Sequence, residues 1–310
     1  MANQTIALIR AARVTHWVKN LALFAALVFS GRLFIQEEFL ITLWAVFIFS
    51  LTSSSIYFFN DVVDLEADKL HPVKHKRPIA QGLISSPNAL FISCLLAITS
   101  LFLASFISFF FFLAIGAYLT LQVIYTLFLK KIAVVDILAI AAGFFLRIWA
   151  GAFVINIHMS VWFLLCVISV SLFLAAGKRR AELTILAQFN KAKKMIYPKA
   201  PLDSYLTMFG TAAWMSWALF TFFAPSPTII EEPLPTLRTE LLPVTIASIE
   251  KWLMITIPVV IFGIMRYLYI TYTTDLAGSP ERTLVRDKPL LVSTLLWGFL
   301  VVVILYFLPS

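Results

Sequence analysis

Charge is scarce in this chain. Only 13% of its 310 residues are Asp, Glu, Lys or Arg, where a soluble globular protein carries about 25%. That scarcity excludes an ordinary water-soluble domain. The 61% hydrophobic content and mean hydropathy of +0.93 place the chain among multi-span membrane proteins. Cysteine is nearly absent as well: Cys94 and Cys166 both fall inside apolar runs, which argues against a disulfide framework or a Cys metal centre. There is no internal repeat and no low-complexity tract. The first apolar run is too long for a removed signal peptide and has no small-residue cleavage site. With no soluble domain to carry it, nucleic acid binding is not expected.

Nine apolar segments read as membrane-spanning helices: roughly 19–35, 39–59, 88–107, 109–129, 133–154, 160–177, 204–224, 250–271 and 289–308. The least marked boundary lies between the third and fourth, where SFISFFFF offers almost no polar turn. The connecting segments divide by charge. The N-terminus, 60–87, Lys130-Lys131, 178–203 and 273–288 carry nineteen of the twenty-four Lys and Arg residues. The other connections contribute Arg32, Arg238 and Lys251, while Arg147 and Arg266 lie within spans. The positive-inside rule then puts the N-terminus and all the basic loops in the cytoplasm and the C-terminus outside. Anionic membrane lipid is an expected partner of those loops.

One loop is more than a basic skirt. NDVVDLEADKLHPVKHKRPIA (60–80) follows a charge-free run and places four carboxylates and four Lys/Arg within eighteen residues. Asp61, Asp64 and Asp68 stand at i, i+3 and i+7, so a helix presents them on one face. Three like charges on one stripe repel and become favourable with a cation between them. Hard oxygen ligands beside a phosphate substrate suit Mg²⁺, with Asn60, Asp61, Asp64 and Asp68 as the ligand set. The blander reading is a solvated acidic face pairing with Lys69, Lys74, Lys76 and Arg77. His71 and His75 read as bystanders.

NDVVDLEAD resembles the first acidic motif, NDxxDxxxD, of the UbiA-type intramembrane prenyltransferase superfamily. The resemblance implies an all-α integral membrane fold with nine transmembrane helices bundled around a central cavity opening to the cytoplasm, built as a single domain over 1–310. It also implies Mg²⁺-bound diphosphate at the cytoplasmic mouth. The superfamily's second motif, another DxxxD at the end of span six, is replaced here by GKRRAE (177–182), with Glu182 its sole carboxylate. WVKN (17–20), YTLFLKKIAVVDI (125–137), LRIWAG (146–151), GKRRAE, and RY (266–267) followed by GSPE (278–281) resemble, in order, the decaprenyl-phosphate phosphoribosyltransferase branch. In that branch phosphoribosyl diphosphate is the donor and a polyprenyl phosphate the acceptor, and the product leads to arabinofuranosyl donors for cell-envelope glycans.

The proposed chemistry brings three phosphate groups to one pocket. Lys19, Lys74, Arg77, Lys130, Lys178 and Arg179 are available for them on the cytoplasmic face, Arg as a bidentate clamp and Lys as a point charge. The resemblance places Tyr125 and Asp136 at the active-site mouth. Asp136 and Arg147, eleven residues apart on span five, return to nearly the same helical face. Buried membrane charges point into the bundle, so Arg147 and Arg266 read either as substrate contacts or as partners of neighbouring carbonyls and carboxylates. Glu182 completes the candidate set. KAKKMIYPK (191–199) reads as a lipid contact, the Pro-rich stretch 225–243 as an exposed outer connector, and Asp287 as a cap on the last span. Two alternatives stay open: an ordinary UbiA-type prenyltransferase with an aromatic or other small acceptor, and a lipid-phosphate carrier. A homo-oligomer is compatible with either enzyme reading.

Overall fold

The computed structural model describes residues 2–71, 73–188, 197–223, 252–273 and 280–308. All regular elements among them are helical. Eight of the helices are long and apolar enough to cross a membrane, as expected where backbone groups must satisfy one another without water. KAKK (191–194), the stretch 225–243, Arg238, Lys251 and the first two residues of GSPE lie outside the described residues.

The chain forms two compact units. The first, Met1–Leu27 with Phe34–Ile157, holds α1 (Ala2–Ala12), a 3-10 segment (Val14–Leu23), most of α2 (Phe24–Phe29), α3 (Gln36–Val63), α4 (Leu65–Lys69), α5 (Ser86–Ser105), α6 (Phe109–Leu127) and α7 (Val135–Val154). At its centre is α3, whose apolar stretch is far more deeply buried than that of α5. Hydroxyls account for that depth. Ser54 donates to the Ala12 carbonyl at 2.9 Å, while Ser55 and Ser93 each donate to the other's carbonyl oxygen at 2.8 Å. Such small side chains let helices approach closely. Against the indistinct boundary at SFISFFFF, one residue suffices: Ser108 Oγ accepts from Phe111 N at 3.0 Å and caps α6.

The expected first span, 19–35, is not one helix. It begins inside the ten-residue 3-10 segment, continues as the six-residue α2, and turns at Gly31 with φ of 75°. Runs of 3-10 helix this long are uncommon, and side-chain anchors accompany this one. Buried Asn20 donates to Ser50 Oγ and accepts from Arg147 Nε, both at 3.0 Å. A Cβ at Gly151 on α7 would lie 2.1 Å from the Leu23 carbonyl oxygen, so the glycine of LRIWAG is required by close backbone approach.

The second unit comprises Val28–Leu33 and His158–Ser310. It contains α8 (Val161–Gln188), α9 (Lys199–Phe223), a 3-10 turn (Leu253–Thr256) leading into α10 (Ile257–Thr273), α11 (Pro280–Arg286) and α12 (Lys288–Tyr306). Phe29 packs against Phe163, Trp217, Phe220 and Trp297. Tyr306 donates to the Val28 carbonyl at 2.8 Å and accepts from Leu33 N at 3.0 Å. The expectation of a loop from 178 is corrected here: α8 runs on to Gln188. The Arg179–Glu182 pair at i, i+3 and the Arg180–Asp203 pair to α9 hold that extension as helix.

Candidate active site

The acidic stripe lies at the end of α3. Asp64 caps that helix and α4 begins at Leu65. The i→i−4 pattern nevertheless crosses the junction, with Asp64 N donating to Asn60 O at 2.9 Å and Asp68 N to Asp64 O at 2.8 Å. Asp61 and Asp68 are only 2% and 3% exposed, and buried carboxylates need partners. Asp61 Oδ1 accepts from Arg13 Nη2 at 2.6 Å and from Arg77 Nη1 at 3.0 Å. The same Arg77 nitrogen reaches Asp68 Oδ2 at 2.5 Å, and Lys130 Nζ donates to Asp64 Oδ1. Burial pushes the Asp68 carboxyl above the ordinary carboxylate range, and the Arg77 guanidinium pulls it back.

This arrangement corrects the expectation that the stripe is compensated only by a cation held between its carboxylates. Three side chains already compensate it. Among the described residues no group of three His, Cys, Asp or Glu side chains is placed to hold a metal ion. Part of the blander reading also stands, because exposed Glu66 pairs with Lys69 at 2.8 Å. Lys74 is half-buried, and its charge acts on Asp68. His71 Nδ1 accepts from Val73 N and Lys74 N, so it shapes the turn that delivers Arg77. Asn60 Oδ1 accepts from Thr126 at 3.3 Å, at the end of α6 that carries Tyr125. Lys19 is half-buried on the 3-10 segment, and Asp136 is buried in the first turn of α7.

Arg13 is the residue that sequence reading missed; there it counted only toward topology. It sits at φ 52°, ψ 49° between α1 and the 3-10 segment, with its guanidinium 4.6 Å from the centre of the Tyr57 ring. No local pattern announces a pairing across 48 residues.

Arg147 is buried in a network of neutral groups. Its Nε donates to Asn20, Nη1 to the Gly143 carbonyl at 3.0 Å and Nη2 to Tyr118 at 2.5 Å. The partner reading of Arg147 has its counterpart in the Gly143 carbonyl. Arg266 behaves alike: it forms a fork to Asp287 at 3.0 and 2.7 Å, while Asp287 Oδ1 accepts from Leu290 N and caps α12. The fork holds the Asp287 carboxyl below the usual range. In the second unit, Lys178, Arg179 and Glu182 share the long α8, with Arg179 Nη1 2.5 Å from Glu182 Oε2. Buried Arg180 instead clamps Asp203 at 2.6 Å and stacks over Tyr272.

Residues 20–230 match the UbiA prenyltransferase family. The chain belongs to that family. It is 33% identical, over 95% of its own length and 91% of the relative's, to decaprenyl-phosphate phosphoribosyltransferase of Mycolicibacterium smegmatis. The enzyme of that name from Corynebacterium glutamicum is also 33% identical, over 97% of this chain and 87% of its own. Among solved structures, a UbiA homologue from Archaeoglobus fulgidus bound to GPP and Mg²⁺ superposes with a TM-score of 0.68 at 18% identity, covering 96% of this chain and 99% of that one. A digeranylgeranylglyceryl phosphate synthase gives 0.62 at 15%, covering 98% and 99%. The protein is therefore an all-helical integral membrane transferase of the UbiA fold.

A divalent metal suits the donor chemistry of the stripe. Mg²⁺ takes one or two carboxylates and completes its shell with water and phosphate oxygens, so a three-carboxylate cage is not required. Each paired carboxylate commits one oxygen to a side-chain cation, and those cations are the groups with which a metal would compete.

Proposed function

We propose that this protein transfers 5-phosphoribose from phosphoribosyl diphosphate to a polyprenyl phosphate of the decaprenyl type, releasing diphosphate, in the synthesis of arabinofuranosyl donors for the cell envelope. The observation that carries the reading is the near full-length similarity to decaprenyl-phosphate phosphoribosyltransferases. The basic GKRRAE helix, where an ordinary prenyltransferase has a second acidic motif, supports it.

An oxygen of the acceptor phosphate attacks C1 of the ribose as the bond to diphosphate breaks. That phosphate is already largely ionised near neutral pH and needs little help from a base. Catalysis rests on positioning and on stabilising the departing charge. Asn60, Asp61, Asp64 and Asp68 would hold Mg²⁺, which when bound neutralises the leaving diphosphate. Arg77, Lys74, Lys130 and Lys19 bind phosphate oxygens in this reading, as do Lys178 and Arg179; Tyr125 and Asp136 line the mouth. Arg147, Arg266 and Glu182 serve the site by orienting other groups. The whole chain acts as one domain in the bacterial cytoplasmic membrane, with the N-terminus and site cytoplasmic and the C-terminus outside.

The test supplies purified protein in detergent with polyprenyl phosphate, Mg²⁺ and radiolabelled phosphoribosyl diphosphate. Chelator-sensitive label in the organic-extractable lipid is the expected result. Its absence, together with activity on a prenyl diphosphate and a small acceptor, would replace this reading with an ordinary prenyltransferase.

A further inference from the structure

We propose that Arg13, together with Arg77 and Lys130, is an exchangeable counter-cation. These side chains hold the stripe's carboxylates while no divalent ion is bound, and pass to the donor's phosphate oxygens when metal and diphosphate enter together. The proposal rests on the reading above for the identity of the donor, and on the structure for the exchange.

Charge balance comes first. Three carboxylates, Asp61, Asp64 and Asp68, meet three cations, Arg13, Arg77 and Lys130. The formal charges of these six side chains cancel. A bare divalent ion would add two positive charges next to guanidinium and ammonium groups that already occupy the carboxylate oxygens. It would have to expel them into water to bind. Diphosphate arriving with the metal offers them anionic oxygens, to which charge-assisted bonds form readily.

Exposure suits an exchange at two of the three pairs. For Asp61 and Asp68 the carboxylate is the buried partner, at 2% and 4% side-chain exposure, while Arg13 and Arg77 are 19% and 21% exposed. Lys130 is 18% exposed beside an Asp64 at 26%. The acids are fixed to the end of α3 and to α4, whereas the cations come from elsewhere. Arg13 follows α1, Arg77 follows the 74–76 turn, and Lys130 follows α6. All three can leave without unwinding the helix that bears the carboxylates. Arg13 has two features of its own. Its backbone is in the left-handed region, costly for a residue with a Cβ, and Tyr57 offers its guanidinium a ring face as a second seat. Arg77 bridges Asp61 and Asp68 with one nitrogen, so Asp61 keeps a partner when Arg13 departs.

The consequence is a specificity for the metal–diphosphate complex over either component. By linkage, each component raises the affinity for the other to the same degree. A static strut would give no such coupling.

The experiment measures Mn²⁺ binding to the full-length protein in detergent by electron paramagnetic resonance, with no donor present. Arg13→Gln is expected to tighten Mn²⁺ binding about tenfold, by removing a competing charge, and Arg13→Lys to leave it unchanged. Lys130→Met, at the more exposed Asp64, is expected to tighten it as well and decides the matter if Arg13→Gln does not fold. Unchanged or weakened Mn²⁺ binding in the charge-removing variants overturns the exchange. No Mn²⁺ binding to any of the proteins overturns the metal assignment and the exchange together. Because the donor is absent, these outcomes are separate from a failure of the lipid-labelling test, which would change only the substrates.

Discussion

The charged regions of the two units use the same kinds of side chain and wire them differently. In the first unit two of the stripe's pairs are long-range, Arg13 to Asp61 across 48 residues and Lys130 to Asp64 across 66, while Arg77 closes on Asp68 and Asp61 from 9 and 16 residues away. In the second they are local or join neighbouring helices: Arg179 to Glu182 within one turn of α8, Arg180 to Asp203 between α8 and α9, and Arg266 to the cap of α12. A pair within one turn steadies its own helix by a few tenths of a kcal/mol. Pairs assembled by tertiary contact concentrate charge that no single helix would tolerate. The difference separates a cluster poised for ligand exchange from acids used as structural pins.

The sharpest way to break that comparison is to neutralise one carboxylate of the cluster. Asp61→Asn keeps the shape and an acceptor oxygen for Arg13 and Arg77 but removes the charge. In the proposed reaction, turnover is expected to fall by about three orders of magnitude, with the elution profile and helical content of the purified protein preserved. Asp64→Asn should act in the same direction and less severely, because Asp64 is more exposed. Initial rates of lipid labelling decide it, and full activity in Asp61→Asn would remove that residue from the metal set.

A smaller effect is expected in the second unit. Converting Lys178 and Arg179 to Ala together should raise the KM for the donor by a hundredfold or more, if each charge-assisted contact contributes about 1.5–3 kcal/mol. Glu182→Gln, which removes the charge of Arg179's local partner, should shift that KM far less. A donor KM unchanged in the double variant would assign both residues to the membrane surface.

What could be read from the sequence follows from the range of the interaction involved. Eight of the nine expected spans correspond to helices because an apolar run with few charges, about as long as a bilayer is thick, decides its own conformation. The carboxylate stripe was legible for the same reason, since i, i+3, i+7 is helix geometry and the hydrogen bonds at Asn60, Asp64 and Asp68 preserve it. Asp287 as a cap could be read from its place before Lys288-Pro289. The broken first span could not, because its winding depends on Arg147 meeting Asn20 across 127 residues and on Gly151 admitting the Leu23 carbonyl. Of the stripe's cations, Arg77 was legible as a partner of the acidic face, and the other two were not. Arg13 and Lys130 are identified by where the chain returns, and GKRRAE looked like a loop because its basic residues conceal pairs that only a helix and its neighbour create.

The smallest effect compares one carboxylate from each unit under acid. Asp287 is held below the ordinary range first by its hydrogen bond from Arg266, with burial opposing. Asp68 is pushed above it by burial, with Arg77 opposing. A depressed carboxylate stabilises the fold at pH values above its unfolded value, about 3.9, and that stabilisation is lost as pH falls through the folded value. A raised one does the reverse: its charged form is disfavoured in the fold, and that penalty is relieved as the group protonates on acidification. Asp287→Asn should therefore flatten the decline of Tm between about pH 5 and pH 3, while Asp68→Asn should leave that decline at least as steep. Because Asn also caps helices well, the change at pH 7 should be small and traceable to the lost fork with Arg266. If Asp287→Asn lowers Tm at pH 7 but keeps the full acid decline, the titrating group lies elsewhere.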